Sequence, residues 1–227
     1  MKNVFASPTR QLVTAFGVAS VLITSAHARN QAGSPPMERQ VHAQTITSLW
    51  APAVDVTVDP ALPYVGGQRV TLYGNADAEL HLFANSGAAG IVQSFYWIQF
   101  EHFLPSNAMR YDAASTRTVD LGGTSFYIDA LGYADFAAIQ SGQPGSDGAA
   151  AVAILARRQL TFPRTVARVR MFHFPDTDRR SELMIIYGES LPPSFVLPEG
   201  SVRFALDSDT TASVIEHMRH ALTIRKR

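Results

Sequence analysis

The chain opens on an apolar block, and periodic patterning begins only after it. Leu12 to Ile23 carries no charge, follows Lys2 and Arg10, and leads to the small-x-small triplet Ala26-His27-Ala28. That order reads as a secretory signal peptide cleaved after Ala28. The stretch is shorter than the roughly 20 residues a helix needs to cross a bilayer. Arg29 to Gln44 is polar, contains Gly33, Pro35 and Pro36, and shows no apolar period. It reads as a flexible leader, so the folded domain is expected over residues 45–227.

From Thr45 the text is dense in β-branched and aromatic residues. Asp55 to Asp59 alternates, and Gln68 to Tyr73, Glu79 to Ala84 and Ile91 to Leu104 read as strands between turn clusters. Arg117 to Leu121 and Thr124 to Asp129 flank Gly122-Gly123, a spacing that tight hairpins favour. Val166 to Phe174 and Glu182 to Tyr187 complete the strands, joined by the charged turn Asp176 to Arg180. Ser94 to Leu104 is apolar on both parities, which predicts a central strand covered on both faces.

Helical spacing appears in three places. Tyr133 to Gln140 predicts a short helix, and Ser146-Asp147 caps a second that runs to about Gln159. Val214, Ile215, Met218, Ala221 and Leu222 form one stripe of a C-terminal helix from Ser208. Strands joined by tight turns, with helices grouped late, predict an α+β domain. Its expected sheet is mainly antiparallel, with about six to seven strands and two or three helices.

Composition narrows the chemistry. There is no cysteine, which closes thiol catalysis, disulfide exchange, lipid anchoring and cysteine-ligated metal. Lys and Arg total 19 and balance 19 Asp and Glu; losing Lys2 and Arg10 with the signal leaves a charge of −2. Nucleic acid is not an expected partner at that balance. No later segment is long and apolar enough to span a membrane, so a soluble periplasmic or secreted protein is expected.

No local motif specifies a reaction. Pro144-Gly145-Ser146-Asp147-Gly148 has proline where a nucleophile elbow needs glycine, and Gly123-Thr124-Ser125 is followed by Tyr127 where the second glycine should stand. The histidines lack metal-ligand spacing, so neither a metal site nor a cofactor is expected. The candidate binding residues come from parity. Trp97, Gln99 and Glu101 share one face of the central strand, and Arg164, Arg168 and Arg170 share one face of another. A buried Glu101 is expected to pair with arginine, or else to hold a raised pKa suited to acid–base work. The arginine row could bind carboxylates or phosphates, or could form salt bridges to Asp176, Asp178 and Glu182. Glu101 is also the one catalytic candidate. The expected function is an exported non-catalytic domain that binds a small molecule, an envelope component or a protein. The alternatives are an envelope hydrolase using Glu101 with a histidine, and a structural or assembly subunit.

Overall fold

The computed structural model describes residues 36–113 and 115–227. The expected signal peptide lies outside the described residues. The leader is described from residue 36 onward, and there it belongs to the fold. Gln40–His42 (β1) pairs with Thr45–Leu49 (β2), which pairs with Ala53–Val58 (β3).

The α+β expectation is corrected. The molecule is mostly β, with 12 strands in two antiparallel sheets of four and eight, three helices, 46% strand and 16% helix among the described residues. The remaining strands are Tyr64–Leu72 (β4), Ala76–Ser86 (β5), Val92–Phe103 (β6), Thr118–Leu121 (β7), Thr124–Tyr133 (β8), Val166–His173 (β9), Ser181–Ser190 (β10), Arg203–Phe204 (β11) and Leu222–Lys226 (β12). The helices are Phe136–Ser141 (α1), Asp147–Ala156 (α2) and Ser208–His220 (α3). The chain therefore closes on β12 rather than on the expected helix. Leu222 and Ile224 alternate inward and pair with β3, so they belong to a strand.

The small sheet runs β1-β2-β3-β12, and the large one β11-β8-β9-β10-β6-β5-β4, with β7 paired to β8. Alternation sends each large-sheet strand's side chains to two separate cores. Tyr96, Ile98 and Phe100 of β6 meet Val54, Val56 and Ile224 of the small sheet, together with Val214 and Met218 of α3. Phe95 and Trp97 meet Phe136 of α1 and Ala151, Ile154 and Leu155 of α2. Strand β6 lies between β5 and β10 and is buried on both faces, as its doubly apolar text requires. Helix α2 lies against β4 and β5. The helix-side face of β8 and β9 keeps polar, partly accessible side chains, including Asp129, Arg168 and Arg170.

Candidate functional site

Of the three residues singled out on β6, Trp97 and Gln99 are buried at 1% and 0% exposure and present no surface. They act beneath Glu101. The Trp97 indole N–H donates to Gln99 Oε1 at 2.9 Å, which orients the amide so that Nε2 donates to Glu101 Oε2 at 2.6 Å. The Tyr111 hydroxyl donates to the other oxygen, Oε1, at 2.6 Å. Two donors converge on a carboxylate that an apolar strand carries to the edge of the core.

The expected arginine partner is absent: among the described residues no ion pair reaches Glu101. The reason lies in the sheet order. Arg168 and Arg170 are on β9, and β10 stands between that strand and β6. Their guanidinium groups turn the other way, to Asp129 on β8, each at 2.7 Å. Arg164 precedes β9, is largely exposed, and pairs with Asp135, so it does not extend the row. Asp176, Asp178 and Glu182 are not the partners of this row; Asp129 and Asp135 are.

What faces Glu101 is more acid. Glu182 on β10 lies directly across in the antiparallel register, a position that sets Cβ atoms about 5 Å apart. Asp147, in the first turn of α2, comes close enough to act on both glutamates. Burial raises the Glu101 pKa and Asp147 adds to the rise, against the hydrogen bonds from Tyr111 and Gln99. Asp147 is raised too, chiefly by burial, with Arg170 opposing. Glu182 is pushed up to about 8 by burial and by the charge of Glu101, with Arg170 opposing. Among the described residues Glu182 receives no side-chain hydrogen bond, whereas Glu101 receives two. Hydrogen bonding therefore favours the charged form of Glu101 over that of Glu182.

Aromatic rings wall this spot. Phe103 and Tyr111 stack at 4.3 Å, Tyr111 continues to Phe174 at 6.2 Å, and Tyr127 stacks on Phe172 at 5.6 Å. Beside Asp147 a groove of about 430 Å³ opens between Tyr73, α1 and the start of α2. Residue patterning could have found Glu182, a charge on a strand otherwise buried. Asp147 and Tyr111 sit in the first turn of a helix and in a loop, where acidic and aromatic residues carry no such signal.

A second polar cluster lies between the sheets. His81 Nε2 donates to Glu79 Oε1 at 2.9 Å, and the Tyr64 hydroxyl and His81 Nδ1 are hydrogen-bonded at 3.2 Å. Burial works against the Glu79 charge, but hydrogen bonds from His81 and from the backbone N–H groups of Glu38 and Arg39 hold its pKa below the ordinary range. Arg39 is sandwiched between the Trp50 and Phe100 rings at 4.4 and 4.6 Å. Every hydrogen-bonding group of the Glu79–His81 pair is engaged, and both residues are at most 1% exposed. The cluster fastens residues 38 and 39 to the large sheet. The other strand histidines stand apart from it and from Glu101. His102 lies edge-on to Trp50, and His173 faces the Ser125 carbonyl.

Comparison with known protein families, with curated proteins and with solved structures finds no match to this chain. No helix among the described residues is long and apolar enough to cross a membrane.

Proposed function

We propose that this protein is an exported binding domain that takes a small organic cation at the Glu101–Glu182–Asp147 cluster. One observation carries the reading. Three buried or half-buried carboxyl groups are gathered on one sheet face, and among the described residues none has an arginine, lysine or histidine within salt-bridge distance. Arg170 acts on Asp147 and Glu182 only from beyond contact, being bonded to Asp129, and half-burying carboxyl groups without a cation in contact is costly. An ammonium or guanidinium ligand supplies the missing charge. The stacked Phe103 and Tyr111 rings stand beside Glu101 and add an aromatic wall that favours such a cation. No group of three or more acidic or histidine side chains among the described residues has the arrangement of a metal site, so an organic cation is the better fit. The raised pKa values have a further consequence: the cation displaces protons as it binds.

Calorimetry with benzylammonium, in two buffers of different ionisation enthalpy, tests this at about pH 7. Saturable binding with proton release is expected, weakened roughly tenfold by Glu182→Gln and weakened again near pH 5, where the cluster is more fully protonated. Binding that ignores both the substitution and the pH would overturn the site.

A second reading rests on the unequal hydrogen bonding of the pair. A neutral Glu182 facing a Glu101 whose charge two donors favour would have the form of a general acid beside a base. The envelope-hydrolase alternative would then use two glutamates, since no histidine hydrogen-bonds Glu101 among the described residues. Turnover of an envelope polymer that is lost in both Glu101→Gln and Glu182→Gln would put this reading first.

A further inference from the structure

Leu160, in the segment that leaves α2, is a wall of two separate hollows. One, of about 290 Å³, lies between α1 and the C-terminal half of α2. Its lining is almost wholly apolar, with Ala138, Val152, Leu155, Ala156 and Phe162 carrying most of it. The other, of about 490 Å³, opens beside the start of β4 and the end of β5, and Arg158 stands at it. The Arg158 Nε–H donates to the Val65 carbonyl at 3.1 Å, which holds the guanidinium in place. Among the described residues its two terminal nitrogens make no hydrogen bond, and no carboxylate comes within salt-bridge distance. The apolar slot and the hollow at Arg158 thus share Leu160 as a common wall, and the exposed Arg158 presents there an unengaged fork of the kind that suits a carboxylate.

We propose that these adjoining hollows bind a short-chain fatty acid, with the chain between α1 and α2 and the carboxylate on Arg158. At about 30 Å³ for an atom of water's size, the apolar slot has room for roughly ten heavy atoms, enough for the alkyl chain of an eight-carbon acid. The site shares no residue with the carboxyl cluster, so it stands or falls independently of the cation reading.

Octanoate is the probe, with octanol and octylammonium as controls, measured by calorimetry on the full chain. Octanoate is expected to bind saturably and more tightly than either control. Arg158→Gln should weaken octanoate roughly tenfold and bring it level with octanol. Ala156→Leu, at an exposed helix position, narrows the slot and should weaken octanoate and octanol alike. Glu182→Gln should leave octanoate binding unchanged. If Arg158→Gln fails to fold, Arg158→Lys replaces it, and should keep a preference for octanoate over octanol while losing affinity. Absence of saturable octanoate binding, or octanoate affinity that survives Arg158→Gln, would overturn the proposal.

Discussion

Glu182 holds its proton because three influences on its carboxyl act together: burial, the charge of Glu101 opposite, and Asp147 above. Its ordinary pKa is 4.5, and the folded chain pushes it up to about 8. Between those values the native state keeps a proton that the unfolded chain has released, so stability falls as pH rises through that window. Glu182→Gln removes the penalty. It should raise the melting temperature at about pH 8, by a few kcal/mol at most in stability, and should have almost no effect near pH 4. A uniform loss of stability at both pH values would show that the carboxyl is not protonated in the fold. Beneath the pair, Trp97→Ala removes a ring that is 1% exposed and should cost roughly 3–5 kcal/mol. Trp97→Phe keeps much of the packing but leaves Gln99 Oε1 without its donor. It should cost less, and should disturb the Glu182 titration followed by NMR, because Gln99 then loses its fixed orientation toward Glu101.

At the scale of elements, α2 does two things at once. Its apolar side fills the core over β4 and β5, and its first turn carries Asp147 to the glutamates. The cap that starts it was legible in the chain. The Ser146 hydroxyl accepts the Ala149 N–H at 3.0 Å and donates to the Gln143 carbonyl at 2.7 Å. Ser146→Ala should therefore cost about 1 kcal/mol. It should also lower cation affinity by loosening the turn that holds Asp147, a change that calorimetry on the folded variant would detect. Parity along β6 likewise predicted a strand covered on both sides, and it placed Glu101 beside Trp97 and Gln99. Parity could not say what lay across the strand boundary. Whether Glu101 met Arg170 or Glu182 depended on β10 entering the sheet between β6 and β9. That neighbour relation joins residues some eighty positions apart, and no local pattern encodes it.

For the whole molecule, closure depends on where the two sheets touch. Gly122, in the turn between β7 and β8, lies against the Ile224 backbone carbonyl of β12, too close for any Cβ, and its φ is +59°. Gly123 next to it has φ +75° but open space around its Cα. Gly123→Ala should cost about 1–2 kcal/mol, the left-handed penalty alone. Gly122→Ala should cost more, because β12 must also move away, and hydrogen exchange should show that loss in β12 and β3 first. Equal effects of the two would mean that the sheets do not meet there. The same closure accounts for the corrected fold. The segment after α3 is only five residues long and its first residue, Leu222, continues the helical stripe, so periodicity carried the helix to about Leu222 and left the strand unread. Pairing with β3 is what makes it a strand. Short β1, β2 and β11 were hidden in the same way, since runs of two to five residues carry too few alternations to register.

The chain by itself determined what depends on near neighbours. Alternation along Ser94 to Leu104, the Gly122-Gly123 turn, the Ser146 cap and the apolar stripe of α3 each follow from steric and hydrogen-bonding preferences spanning a few residues. The absence of cysteine and the near-zero charge belong with them, because they are sums over residues. Tertiary structure decided what depends on distant ones: that the strands divide into two sheets, that residues 38 and 39 fasten onto Glu79, and that Asp129 takes the arginines. It also decided that Glu101, Glu182 and Asp147 share one spot. The physical reason is that strand order is selected by how whole apolar faces cover one another, and a carboxyl group's proton then answers to the neighbours that this covering happens to bring.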